Sequence, residues 1–132
     1  MAGHIQNQQR IVLRLLSSLR LHWRKDRDLP NRIRTLLAGE KSFGSRDRRL
    51  YRELIYTAVR YLPWIEPRLD SAPETAVAAL AWLAADTPAT AAFRAGLTAG
   101  WPSCPPDVAG QETELRRRLR VGEVGRSGCC ET

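Results

Sequence analysis

Arginine side chains and one tyrosine recur at helical spacing in the middle of the chain. Arg49, Arg52, Tyr56 and Arg60 are three or four residues apart, so a helix through this segment would place them on one face. The guanidinium group presents a planar fork of hydrogen-bond donors that suits phosphate, and it also stacks on bases. The ring of Tyr56 could stack on an unpaired base of looped RNA, or it could cover a groove between helices. The pattern predicts an RNA-binding surface, with both interpretations of Tyr56 open.

A second arginine series lies closer to the N-terminus. Arg10, Arg14, Arg20 and Arg24 flank an apolar stripe that predicts a helix over residues 5–24. We expect this helix to lie beside the central one, so that both arginine series contribute to the RNA-binding surface. The apolar stripe consists of Ile5, Val12, Leu15, Leu16, Leu19 and Trp23.

The helix that carries Tyr56 is the element against which the rest of the chain is expected to pack. Ser45 is a favourable N-cap residue and Pro63 interrupts a helix, so we expect the helix to start at Ser45 and to stop before Pro63. Asp47 and Arg48 fall on its inward side, where a structural ion pair or a capping role is favoured over a contact with RNA. The buried face is expected to contain Leu50, Tyr51, Leu54, Ile55, Ala58, Tyr61 and Leu62.

Three further segments carry weaker helical signals. A short helix is expected to start at Pro30 and to end at Gly39, since proline suits the first helical turn and glycine suits the C-terminal end. Residues 64–69 are expected to form at most a short helical piece, because prolines interrupt them. After a loop rich in Pro and Gly, one more helix is expected over residues 111–120, and the aperiodic tail over 122–132 is expected to be disordered.

Two small, alanine-rich helices are expected in the second half of the chain. They span residues 74–85 and 89–99 and should pack as a hairpin, with Pro73 and Pro88 at their first positions and Thr87 as the N-cap of the second. No segment has the pattern of a strand, so the sequence predicts an all-α bundle of about five to six helices. The helical domain is expected to span residues 1–100, and residues 101–132 to hold a loop, a short helix and the tail.

The charge of the chain is distributed unevenly. Residues 1–70 contain 15 Lys and Arg against 7 Asp and Glu, a net charge of +8, whereas residues 71–132 contain 6 against 7. A basic half joined to a near-neutral half favours an anionic partner, for which we expect RNA. A solvated basic surface and an acidic protein partner remain alternatives. Duplex DNA bound by a helix-turn-helix is less favoured, because the basic residues spread over two helices.

Groups that could perform catalysis are scarce. His4 and His22 are the only histidines, and the three cysteines have no histidine at metal-ligand spacing, so we expect no metal site, no cofactor and no catalytic activity in this chain. No apolar run approaches the ~18 residues that would span a membrane, and the N-terminal segment lacks the apolar region of a signal peptide. The cysteines do not form a disulfide framework, so we expect a cytoplasmic location and no membrane partner.

One segment resembles a known family. Its residues are Gly44, Ser45, Arg46, Asp47, Arg48 and Arg49, followed by Leu54, Ile55, Tyr56 and Arg60. This string resembles the N-terminal NusB-like helical domain of the Sun/RsmB family, bacterial methyltransferases that modify cytosine C5 of 16S ribosomal RNA. In that family a Gly-Ser-Xaa-Asp-Arg start leads a helix with an aliphatic-Tyr pair and then an arginine. The resemblance covers residues 5–70, and residues 71–100 fit more loosely because they lack the asparagine-containing motif often found in NusB-like domains.

The resemblance implies an all-α, NusB-like domain that binds ribosomal RNA. In the family this domain precedes a catalytic domain that uses S-adenosylmethionine, and that domain is not in this sequence. The chain would then be a truncated methyltransferase or an independent module that serves a methyltransferase domain. The alternative is a NusB-type module for transcription antitermination or protein interaction. In that case Trp82 and Trp101 would dock a transcription or ribosomal protein.

Overall fold

The computed structural model describes the backbone of residues 2–127 and the side chains of residues 4–119. Within this part of the chain all regular structure is helical, which confirms the prediction of an all-α bundle. Seven helices are present in it, slightly more than expected. They are α1 (Ala2–Arg20), α2 (Leu29–Ala38), α3 (Ser45–Arg60), α4 (Leu62–Ser71), α5 (Pro73–Leu83), α6 (Ala91–Leu97) and α7 (Val108–Ser127).

The alanine-rich helix α5 lies at the centre of the bundle. It contacts α1, α3, α4, α6 and α7, and its residues Ala76, Ala79 and Ala81 are completely buried. Because alanine side chains are small, neighbouring helices can approach the α5 backbone closely on several sides. Pro73 opens the helix, as predicted, where its missing N–H costs nothing.

Trp82 belongs to the core rather than to the surface. Its side chain is 2% exposed, and its Nε1 donates a hydrogen bond of 2.6 Å to the carbonyl oxygen of Pro102. Its ring packs on Trp101, with the two ring centroids 5.4 Å apart. The prediction that Trp82 helps to form a docking surface is therefore wrong, since its indole joins α5 to the loop before α7.

Helix α3 buries the face that its apolar pattern predicts, but its ends differ from the prediction. The N-cap is Gly44, whose backbone is extended and which makes no side-chain cap bond, so Ser45 is the first helical residue and not the cap. The N-terminal end is held by other contacts, because the ring of Phe43 packs on that of Tyr51 with centroids 4.8 Å apart. At the other end, Tyr61 separates α3 from α4, and Leu62 starts the new helix.

Two helices differ from the predictions because of how prolines are used. Pro63 lies in the first turn of α4, and Pro67 is accommodated inside it, so this segment is a helix of 10 residues and not a broken piece. Helix α6 begins at Ala91 and not at Pro88. The hydroxyl of Thr90 instead donates to the carbonyl oxygen of Ala85 at 2.6 Å, which closes a turn before α6.

The helices at the two ends of the chain also have different bounds from those expected. Helix α1 ends at Arg20, and residues 21–25 form turns that keep Trp23 buried. Helix α7 starts at Val108 and continues to Ser127, so it is longer at both ends than the helix expected over residues 111–120. The rest of the tail, residues 128–132, lies outside the described residues. Among the helices described, none is long and apolar enough to cross a membrane.

Candidate nucleic-acid interface

The outward face of α3 carries a row of arginines that the protein itself does not neutralise. Arg46, Arg49, Arg52 and Arg60 are exposed, and none of them has a hydrogen bond or ion pair with another described residue. At 1.5 Å of rise per residue, the row extends for ~21 Å along the helix. Tyr56 lies within this row and is half-buried. The four guanidinium groups and the tyrosine, called the α3 arginine face below, are the strongest candidate for an anion-binding surface.

A groove runs along one side of the α3 arginine face. It has a volume of about 540 Å³ and separates α3 from the turn that precedes α6. We call it the α3–turn groove. Its lining residues are Arg46, Arg49, Arg52, Glu53, Tyr56, Arg60, Thr87, Pro88 and Ala89. All the residues of the α3 arginine face therefore border one open channel.

The one carboxylate in the α3–turn groove has a structural role. Glu53 Oε2 accepts a hydrogen bond of 3.1 Å from the backbone N–H of Ala85, which fixes the segment before the turn to α3. The carbonyl oxygen of Glu53 accepts the hydroxyl of Thr57 at 2.7 Å. Glu53 makes no ion pair within the described residues. Its carboxylate therefore stabilises the wall of the groove and does not neutralise the neighbouring arginine side chains.

The arginines predicted on the first helix are mostly engaged within the protein. Arg14 binds Glu40 through two hydrogen bonds, with Nη1 to Oε2 at 2.9 Å and Nη2 to Oε1 at 3.1 Å. Arg20 forms the same bidentate pair with Asp70, with Nη1 to Oδ1 at 2.8 Å and Nη2 to Oδ2 at 2.7 Å. These pairs correct the prediction that Arg14 and Arg20 present free guanidinium groups to RNA.

Arg24 and Arg10 have different surroundings. Arg24 donates to the carboxylate of Glu66, so it too is removed from the predicted surface. Glu66 is also 3.6 Å from Nε of Arg20. Arg10 is exposed and unpaired within the described chain, but it lines neither of the grooves beside α3. The two arginine series therefore do not form one surface of unpaired guanidinium groups.

The ion pairs of the first series change the acidity of their carboxyl groups. A hydrogen bond from Arg14 lowers the pKa of Glu40, and hydrogen bonds from Arg20 lower the pKa of Asp70. The pKa of Glu66 is lowered chiefly by its hydrogen bond from Arg24. Each of these carboxylates therefore keeps its charge to a lower pH in the folded protein than it would without its arginine.

Of the motif residues at the start of α3, Arg48 holds the preceding loop. Arg48 donates from Nε to the carbonyl oxygen of Phe43 at 3.3 Å and from Nη2 to that of Glu40 at 3.1 Å. Arg48 therefore binds loop carbonyls and does not form the expected ion pair with Asp47. The half-buried Asp47 lies close enough to Tyr51 to raise the pKa of its hydroxyl, although burial of that ring is the larger cause. Ser45 is exposed and makes no capping bond.

Sequence reasoning missed two arginines that lie beside the predicted site. Arg46 lines the α3–turn groove and continues the i, i+3 spacing of Arg49 and Arg52, so helical periodicity could have identified it. Arg34 borders a second groove, between α2 and α3. It was not identifiable, because nothing in the local pattern of α2 indicates which of its faces turns toward α3.

Arg94 and Arg118, in the second half of the chain, are engaged with their own surroundings. Arg118 donates to Glu114 and lies over the ring of Trp101, with its guanidinium carbon 4.8 Å from the ring centroid. Arg94 donates to the carbonyl oxygen of Ala81 at 2.9 Å. These contacts hold loop and helix together, so they add no free positive charge to the site.

The described residues show no constellation for metal or nucleophilic chemistry. They contain no group of three or more His, Cys, Asp or Glu side chains that could hold a metal ion. Cys104 is a half-buried free thiol whose pKa is raised mainly by burial, and a raised pKa disfavours the thiolate. The basic face of α3 is therefore the feature with the clearest chemical use.

Comparison with known proteins identifies no relative of this chain. No family model, no curated protein and no solved structure matches it. A functional assignment therefore depends on the geometry of the α3 arginine face and on the motif that begins α3.

Proposed function

We propose that this chain is an RNA-binding domain that contacts RNA phosphates through the α3 arginine face. The observation that carries the proposal is the contrast between two sets of arginines. Three of the four arginines of the first series are paired with Glu40, Glu66 and Asp70, whereas Arg46, Arg49, Arg52 and Arg60 have no partner among the described residues. Four unpaired guanidinium groups on one helix repel each other unless an anion lies between them.

Phosphate is the anion that fits this arrangement best. A row of ~21 Å is long enough to follow several successive phosphates of a nucleic-acid strand. Each guanidinium group offers paired donors that match two phosphate oxygens. The ring of Tyr56 between the arginines adds a surface on which an unpaired base could stack, which favours looped or single-stranded RNA over duplex DNA.

We further propose that the chain is a NusB-like domain of the Sun/RsmB type, which binds ribosomal RNA and has no catalytic activity itself. The sequence from Gly44 to Arg60 supports this through its resemblance to the family, and an all-helical bundle is compatible with it. Its partner would be a methyltransferase domain. A NusB-type antitermination or protein-interaction module remains the alternative, but it would need a docking surface other than Trp82, which is buried.

RNA binding is tested by titrating a fluorescent ribosomal stem-loop with the protein at several salt concentrations. Four arginine contacts predict that the logarithm of the association constant falls with the logarithm of salt at a slope of about −3. The affinity should then fall about 60-fold between 50 and 200 mM salt. An affinity that does not depend on salt, or no binding at low salt, would contradict the proposal.

A further inference from the structure

A second groove lies on the other side of Tyr56, between α2 and α3. Its volume is about 290 Å³. We call it the α2–α3 groove. It is lined by the apolar residues Pro30, Ile33, Leu37 and Ala38, by the ring of Tyr56, and by the guanidinium-bearing residues Arg34, Arg48 and Arg52. The groove thus combines apolar walls, one aromatic ring and several hydrogen-bond donors.

We propose that the α2–α3 groove takes up one unpaired base of the bound RNA, stacked against Tyr56. A nucleobase has two apolar faces and a polar edge, and this is the combination of contacts that the groove offers. Small-molecule pockets have volumes of about 300–1,000 Å³, and the α2–α3 groove lies at the lower end of this range, with room for a flat ring system. The inference rests on the proposed function, because the RNA backbone must already lie on α3.

The two grooves share the residues that would connect phosphate to base. Arg52 and Tyr56 line both the α3–turn groove and the α2–α3 groove, so they form the ridge between them. A strand whose phosphates follow the α3 arginine face could therefore turn one base across this ridge without leaving the arginines. The positive charge of the α3–turn groove matches the phosphate of a nucleotide, and the apolar surface of the α2–α3 groove matches its base.

Donors are available at the polar edge of such a base. Arg48 uses Nε and Nη2 to hold the carbonyl oxygens of Phe43 and Glu40, whereas its Nη1 has no acceptor among the described residues. Arg34 is exposed, and its Nη1 donates to Asn31 Oδ1 at 3.2 Å, which leaves its other donors unused. Both side chains border the groove, where carbonyl or ring-nitrogen acceptors of a base could meet them.

A base within a duplex is paired and stacked, so it would not be available to this groove. The inference therefore predicts a preference for unpaired RNA that phosphate contacts alone would not produce. The test uses a short oligouridylate and an oligomer of equal length in which every base is replaced by hydrogen. Both carry the same phosphates, so a difference in affinity measures the contribution of the bases.

Two variants connect that difference to the α2–α3 groove. Ala38→Phe adds a ring at an exposed position that lines the groove and leaves every arginine in place, and Tyr56→Leu removes the stacking surface. The matched control is Ala92→Phe, at an exposed position of α6 that does not line the groove. Circular dichroism and thermal unfolding verify that each variant is folded.

We expect the wild type and Ala92→Phe to bind oligouridylate about tenfold or more tightly than the base-free oligomer. Ala38→Phe should bind the two oligomers equally, with affinity for the base-free oligomer unchanged, and Tyr56→Leu should also lose the difference between the two oligomers. Strong, equal binding of both oligomers by the wild type would overturn the base-binding inference and leave the proposed function intact. Failure of the wild type to bind either oligomer or the ribosomal stem-loop would remove the proposed function itself.

Discussion

Arg20 binds Asp70 through both of its terminal nitrogens, with Nη1 2.8 Å from Oδ1 and Nη2 2.7 Å from Oδ2. Arg20 is the last residue of α1 and Asp70 is the penultimate residue of α4, so the pair joins two helix ends that are 50 residues apart in sequence. Arg24 adds a second pair in this region, with Glu66. These pairs give Arg20 and Arg24 a structural role, whereas the exposed arginines of α3 have no partner among the described residues.

The ion pairs around α1 predict a loss of stability in acid. Hydrogen bonds from Arg20 and Arg24 lower the pKa values of Asp70 and Glu66 in the folded protein. On acidification the unfolded chain takes up protons at these carboxylates at a higher pH than the folded protein does. The contribution of the ion pairs to the free energy of unfolding is therefore complete above about pH 5 and is lost as the pH falls through the lowered pKa values. Urea unfolding midpoints measured between about pH 6 and 3 should therefore decrease steadily.

The double variant Asp70→Asn, Glu66→Gln provides the comparison for the acid experiment. It lacks both titrating groups, so its unfolding midpoint should be lower than that of the wild type near neutral pH and should change less on acidification. Parallel pH profiles for the two proteins would show that these ion pairs do not stabilise the fold.

Arg48 should contribute to the stability of the fold through its two hydrogen bonds to the loop before α3. Replacing it by alanine removes the donors to the carbonyl oxygens of Phe43 and Glu40, so we expect the free energy of unfolding to fall by about 1–3 kcal/mol. Arg49→Ala is the matched control, because Arg49 is exposed and unpaired within the described chain and its loss should cost little. Equal unfolding midpoints for the two variants would contradict the structural role of Arg48.

Tyr51 should be the tyrosine that resists ionisation. Burial of its ring, with a smaller contribution from Asp47, raises its pKa to about 12. The contribution of this hydroxyl to the free energy of unfolding is therefore complete below about pH 10. It is lost as the pH rises through the pKa of the hydroxyl in the folded protein. Alkaline titration of phenolate absorbance should show a late step near that value in the wild type. The step should be absent from Tyr51→Phe, and a wild-type titration without it would disprove the assignment.

The close packing of α5 predicts that it tolerates no larger side chain on its buried faces. Ala79→Leu adds volume at a position that is completely buried, so we expect it to lower the free energy of unfolding by about 1–3 kcal/mol. Ala78→Leu, at a half-buried position of the same helix, should cost less. Chemical denaturation of the two variants measures the difference. If Ala78→Leu lowered the free energy of unfolding more than Ala79→Leu, our assignment of the buried face of α5 would be wrong.

Helical periodicity was sufficient to predict the architecture and the central face of α3. Leu50, Leu54 and Ile55 are buried as their spacing requires, and Arg52 and Arg60 are exposed on the opposite side. The helix ends were less predictable. Capping preferences favoured Ser45, yet the extended Gly44 occupies the cap position, and contacts of Phe43 and Arg48 hold this end of the helix.

The pairing of arginines could not be predicted from the sequence. Arg14 pairs with Glu40 at a separation of 26 residues in sequence, and Arg20 pairs with Asp70 at a separation of 50 residues. No local pattern therefore distinguishes these arginines from Arg49 or Arg60. Their exposure depends on how the helices pack, which is a tertiary property. The α2–α3 groove likewise arises only when two helices meet.

The central claim is that α3, and not α1, binds RNA, and one comparison of two charge-matched variants tests it most directly. Arg49→Ala, Arg52→Ala, Arg60→Ala removes three unpaired charges, and Arg14→Gln, Arg20→Gln, Arg24→Gln removes three paired ones. We measure the salt dependence of stem-loop affinity for both. The first variant should reduce the magnitude of the salt slope by about 2, and the second should leave the slope nearly unchanged. Equal effects of the two variants, or a larger effect of the second, would contradict the account.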